Sequence, residues 1–187
     1  MKKWLMTGLL ATQMNVNAAE DIDYDFLEIG YGYLDLSNDG STDGFYLDGA
    51  FELSDHFYMG GYFDNRRYRG IDLNRYHLIV GYHTEGSAQT EFYTDLRIGH
   101  LDFGNVDGST LGLFAGTRTT ITDRFELITE IGFTNIDDIN HDDGNNLIIY
   151  EAEVKGLFKL TKKQGITAGL EYYDDDFGAK VGYRYSF

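Results

Sequence analysis

Three groups of residues carry side chains able to do chemistry. Asp138, Asn140 and Asp142 set oxygen donors at alternate positions ahead of a glycine. A helix–loop–helix calcium site needs Gly at its sixth place and Glu at its twelfth. Here Asp143 is sixth, Gly144 comes one late and Ile149 is twelfth, so a solvated acidic turn is the better reading and no metal is assigned. Arg66, Arg67 and Arg69, interleaved with Tyr68, are the basic cluster outside the N-terminus. Guanidinium groups bind phosphate through paired N–H donors, so this cluster suits lipid phosphates, or else ion pairs with acidic neighbours. The five histidines, His56, His77, His83, His100 and His141, show no i, i+4 ligand spacing. Asp137 and Asp138 are adjacent acids with no base oriented by a third group. A non-enzymatic protein without a cofactor is expected.

Stepping outward to the elements that hold these residues, 187 residues make one domain. The chain has no Cys and no Pro, but 23 Gly, 15 Tyr and 13 Phe. Without Pro, every strand position keeps its ladder N–H. Met1-Lys2-Lys3, an apolar run from Trp4 to Ala11 and Val16-Asn17-Ala18-Ala19 read as a signal peptide over residues 1–18, cleaved after Ala18 or after Ala19. The formal charge is −16, and losing Lys2 and Lys3 makes the mature chain more acidic still. That excludes nucleic acid as a main partner, because phosphate neutralisation needs a basic surface.

Residues 19–187 divide into alternating segments at 24–35, 44–53, 57–66, 73–83, 91–102, 110–122, 125–136, 147–160, 165–173 and 177–187. Each is near the ~9–11 residues that a tilted strand needs to cross a bilayer. This predicts an all-β, antiparallel up-and-down barrel of ten strands; the long link at 84–90 and the short one at 174–176 leave eight as the alternative. One parity carries large apolar residues such as Leu27, Ile29, Leu78, Val80, Ile131 and Phe133. The other carries Glu28, Asp48, Glu52, Glu91, Asp95, Arg97, Arg118 and Glu130, and continues with Glu151, Glu153, Lys155, Glu171, Lys180 and Arg184. A soluble sandwich or lipocalin-like barrel would turn its apolar face inward. So many ionisable groups cannot make a dry core, so the charged parity is assigned to the lumen. Glu91, Asp95 and Glu130 are then within reach of Arg97 and Arg118.

The chain ends on Val181, Tyr183, Tyr185 and a terminal Phe187, with polar residues or glycine between them. With the leader and the strand pattern, this ending resembles that of small Gram-negative outer-membrane β-barrels of the OmpA/OmpX type or the porin family. The resemblance implies export to the outer membrane and a closing strand read by the barrel-assembly machinery, with periplasmic chaperones on the way. It also implies a monomer in contact with outer-membrane lipid and lipopolysaccharide, the latter's phosphates being the ligand offered to Arg66, Arg67 and Arg69. Lipid A deacylases of this class need a His-x-Ser pair, which no histidine here has. Omptin-type proteases need long extensions above the membrane, which the links here do not supply. Two functions remain in view: a structural or surface-interaction barrel, and a narrow channel that the acidic excess would bias toward cations.

Overall fold

A computed structural model describes residues 22–37, 40–103, 106–138 and 147–187. The leader assigned to residues 1–18, both cleavage alternatives, Asn140, Asp142 and the side chain of Asp138 lie outside the described residues.

Ten strands follow one another: β1 (Phe26–Leu36), β2 (Gly40–Ser54), β3 (Phe57–Tyr68), β4 (Ile71–Ser87), β5 (Thr90–Phe103), β6 (Val106–Thr122), β7 (Phe125–Asp138), β8 (Leu147–Lys159), β9 (Gln164–Tyr173) and β10 (Asp176–Ser186). Each pairs antiparallel with its sequence neighbours, and β1 pairs with β10, from Phe26↔Ser186 to Asp35↔Phe177, to close the barrel. The eight-stranded alternative is thereby excluded. Closure leaves no free sheet edge, the condition for carrying backbone amides through hydrocarbon.

The start of β1 and the end of β10 lie at one end. There the hairpins β2–β3, β4–β5 and β6–β7 each carry a register shift just before the turn, at Glu52/Ser54, Glu85/Ser87 and Thr120/Thr122. Such irregularities bend the strand and tighten its twist at a barrel rim. At the far end β1 to β7 and β10 run further than their alternating segments, while β8 and β9 stop with theirs. Tyr68 pairs with Ile71 across a two-residue turn in which Arg69 and Gly70 both have positive φ, 48° and 85°. That is the backbone of the favoured two-residue hairpin. The first strand is displaced the other way: it begins at Phe26, and Tyr24 precedes it.

The two parities separate as charge demands. Outward-facing Leu78 is 69% exposed, and Ile29, Ile98, Ile131, Val154 and Leu170 are likewise exposed. An apolar surface that goes all round the wall suits a lipid bilayer. Toward the far end the outward positions of β1 to β7 turn polar, with Asp35, Asp43, Asn65, Arg67, Asn74, Asp102, Asn135 and Asp137 forming a partial collar above the apolar band, while Ile148 and Phe177 keep that height apolar on β8 and β10. On the inner face, aromatic rings lie flat over glycines of neighbouring strands. Tyr58 covers Gly81, and Tyr46 covers Gly30 and Gly182, so closely that a Cβ at any of the three would strike the ring. These glycines make room for lumen-filling rings on a tightly curved wall.

Candidate functional site

The lumen is the site, and it is closed in layers. At the far end, β3 and β4 reach across to β8 and β9. Arg66 donates from Nη1 to Glu171 Oε1 at 2.6 Å and pairs through Nε with Asp64 at 2.9 Å. Arg75 donates from Nη2 to Tyr173 Oη at 2.6 Å and from Nη1 to Glu151 Oε2 at 3.1 Å. Lys180 joins Glu153 at 3.1 Å and Glu171 at 3.3 Å. In the ring of ten, β4 and β9 stand diametrically opposite, so these contacts span the lumen as a brace.

Below it, Glu28 is fully buried and accepts from Tyr46 at 2.7 Å, Thr167 at 2.9 Å and Arg184 Nη2 at 2.7 Å, with Lys155 at 3.8 Å. Lys155 also lies 3.8 Å from Asp48. On the opposite wall Arg97 bridges Asp95 at 2.8 Å and Glu130 at 2.5 Å. Tyr58 donates to Asp95, and Tyr93 donates to Glu130 at 3.0 Å. Arg97 and Arg184 also lie 3.8 Å from the rings of Phe114 and Phe26. Buried charges are tolerable when each is paired and further hydrogen-bonded, and Glu28, Asp95 and Glu130 each have at least two donors.

At the terminus-bearing end, Arg118 pairs with Glu126 at 2.6 Å and His83 with Glu91 at 3.1 Å. Residues 22–25 turn inward beneath the rim. The ring of Tyr24 packs in one cluster with Tyr58, 4.6 Å away, and His83, 4.3 Å away, with the Arg118 guanidinium 4.4 Å from its centre. Between this layer and the brace a cavity of about 110 Å³ remains. Its lining contains six carboxylates, Asp48, Asp95, Glu130, Glu151, Glu153 and Glu171, and six basic groups, Arg75, Arg97, Arg118, Lys155, Lys180 and Arg184. The acidic excess of the chain therefore does not extend to the cavity wall.

Of the residues assigned to the lumen, Glu28, Asp48, Glu91, Asp95, Arg97, Arg118, Glu130, Glu151, Glu153, Lys155, Glu171, Lys180 and Arg184 face inward. Glu52 has the same parity but sits at the open rim, its side chain 39% exposed and 4.0 Å from His83. The pairing differs from expectation in two places: Arg118 meets Glu126, and Glu91 meets His83. The arginine cluster needs a correction. Arg66 is not a loop residue facing lipid phosphates but is 2% exposed inside the barrel, because β3 continues through Tyr68 and gives Arg66 the inward parity of Asp64. Arg67 points outward and pairs with Asp72 at 2.7 Å; Arg69 sits in the turn with its guanidinium 5.2 Å from the Tyr68 ring centre. Val181, Tyr183, Tyr185 and Phe187 are all outward and exposed. The inward aromatics Tyr46, Tyr58, Tyr93 and Tyr173 were missed as lumen residues, although each shares the parity of the charges on its strand.

A closed ten-stranded antiparallel barrel with an apolar outer wall and a charged interior is the fold of the outer-membrane β-barrel proteins. By sequence, no family model and no curated protein matches the chain. Among solved structures, the NanC porin is similar with a TM-score of 0.51 at 8% identity, covering 86% of this chain and 100% of that one. The COG4313 outer membrane channel from Pseudomonas putida F1 is similar with a TM-score of 0.51 at 9% identity, covering 91% and 98%. At such identities the likeness is one of fold.

Proposed function

We propose that this protein is a monomeric, non-enzymatic integral outer-membrane β-barrel with a closed lumen, serving a structural or surface-interaction role through its wall and far-end rim. The observation that carries this reading is the brace, in which Arg66 and Arg75 meet Glu171, Tyr173 and Glu151 across the full width of the lumen. A bore crossed by buried ion pairs, with one cavity of about 110 Å³ inside it and another of about 160 Å³ at the terminus-bearing end beside Arg118 and Arg184, is interrupted for a solute at the brace. Outward Tyr183, Tyr185 and Phe187 fit an ending read during assembly in the outer membrane, and lipid and lipopolysaccharide are the partners of the wall. In this reading the far-end rim faces outside the cell and the termini face the periplasm.

The second reading is a narrow, cation-preferring channel, supported by the porin and channel among the structural neighbours. Balanced charge on the cavity wall gives it less support than the acidic composition did. Single-channel recording of the refolded protein in a planar bilayer separates the two. Silence from a demonstrably inserted barrel is expected. Reproducible cation-preferring steps would overturn the closed-lumen reading and turn attention to Asp95 and Glu130.

A further inference from the structure

Residues 22–25 belong to no strand, yet Ile22 is 7% and Tyr24 3% exposed. Ile22, Tyr24 and Phe26 form one apolar cluster with Ala50, Tyr58 and Ile79 on the inner faces of β2, β3 and β4. Two contacts fix the base of this segment at Asp25: its carboxylate accepts from the Glu52 N–H at 2.7 Å, and its carbonyl accepts from the Phe187 N–H at 3.2 Å. Beyond Asp25, the holding groups are side chains of the wall. Tyr24 packs against both Tyr58 and His83, and Arg118 both covers the Tyr24 ring and donates to the Asp23 carbonyl at 2.9 Å.

We propose that residues 22–24 are a plug, hinged at Asp25, that closes the terminus-bearing mouth and can leave without breaking a strand pair. The inference rests on the closed-lumen reading and adds that the two ends are closed by different means. The far end is crossed by side chains of paired strands, and release there must break buried ion pairs. The near end is stopped by a chain segment clasped by stacked rings and one guanidinium. Stacking and cation–π contacts are directional and short-ranged, so losing the Tyr24 ring releases the plug. With the plug out, the brace still stands, and the lumen becomes a blind vestibule open on the periplasmic side, lined by Ala50, Tyr58, His83 and Glu91.

The chain contains no cysteine, so one engineered thiol reports access. Ala50→Cys places it under the plug. The full mature barrel is refolded, its folding verified by heat-modifiable gel migration, and exposed to a membrane-impermeant trimethylammonium methanethiosulfonate. Slow labelling is expected in Ala50→Cys and in Ala50→Cys with Tyr24→Phe, which keeps the stack. At least tenfold faster labelling is expected with Tyr24→Ala. Equal rates with and without the Tyr24 ring overturn the proposal. A second measurement does not depend on Ala50: the single Trp of the chain is Trp4, in the leader, so Tyr24→Trp gives the mature protein one indole. Acrylamide should scarcely quench that indole, and free quenching overturns the plug. Conduction by the wild type defeats the closed-lumen reading itself. A silent wild type in which Ala50→Cys reacts at once defeats only the plug, leaving the brace as the closure.

Discussion

Arg75 of β4 and Tyr173 of β9 stand on opposite sides of the barrel and touch, with the guanidinium Nη2 2.6 Å from the phenol oxygen and the guanidinium carbon 4.8 Å from the ring centre. A contact across the full diameter ties together strands that no ladder hydrogen bond joins, and so fixes the cross-section at that height. Tyr173→Phe keeps the ring beneath the charge and removes the hydrogen bond from Arg75 together with a longer one, 3.4 Å, to Glu171, a loss of about 1.5–3 kcal/mol carried mainly by the bond to the charged donor. Arg75→Met strips Glu151 and Asp64 of a partner as well, and should cost about 3–5 kcal/mol. Denaturant unfolding of the refolded barrel measures both. The double variant should lose less than the sum, since both changes remove one shared contact; strict additivity would mean that the contact carries no stability.

Arg66 and Arg67 are chain neighbours on opposite faces of the wall. Arg66→Met leaves Glu171 to Lys180 and Asp64 to Arg75, and should destabilise by about 3 kcal/mol, the lower end for breaking a buried pair. Arg67→Met removes a guanidinium that is 71% exposed and should stay within about 0.5 kcal/mol. Similar losses in the two variants would contradict the inward placement of Arg66.

Leu78→Arg puts a charge on the lipid face and should cost about 2–4 kcal/mol if Leu78 lies near the midplane. The adjacent inward residue is not a tolerant control: Ile79 is packed in the cluster with Tyr58 and Ala50, so Ile79→Arg also has nowhere to go. Thr167→Ser, on the inner face, is the milder comparison, because it keeps the hydroxyl that donates to Glu28. Unfolding in lipid bilayers of defined thickness tests the ordering, and a neutral Leu78→Arg would reverse the assignment of the faces.

Gly81→Ala drives a methyl group into the ring of Tyr58. Overpacking of this kind costs about 1–3 kcal/mol. Pairing Gly81→Ala with Tyr58→Leu should recover part of that loss, read as a non-additive denaturant midpoint. If the pair is additive, the close approach of ring and glycine has no energetic weight.

Period-2 alternation made most of this architecture legible. The ten alternating segments and the shared face of Leu78 and Ile131 follow from parity, because a half-buried strand alternates wherever its two faces meet different media; the number of ionisable groups on the other face is what turns Leu78 and Ile131 outward. What parity does not contain is height and partnership. Arg118 was paired in expectation with its neighbours in the acid list, yet tilt and stagger bring it to Glu126. Arg66 closes the alternating segment 57–66 and so reads as part of the arginine cluster at its end; polar outward residues such as Asn65 and Arg67 hide the alternation that continues to Tyr68. Tyr24 was assigned to a strand by its inward parity with Phe26 and Glu28, and nothing in sequence spacing distinguishes a paired strand from a segment folded back into the lumen.

The polar collar has its own consequence. Because β3 and β4 run to Tyr68 and Ile71 and turn over two residues, that stretch of the rim is hydrogen-bonded backbone right to its tip. A macromolecule landing there would meet a parapet already in its final shape and would lose little freedom on contact, a cost that governs affinity more than contact area does. Selectivity at such a rim would come from the fixed spacing of Arg67, Asp72 and Asp102, much as teeth on a key rather than fingers of a hand.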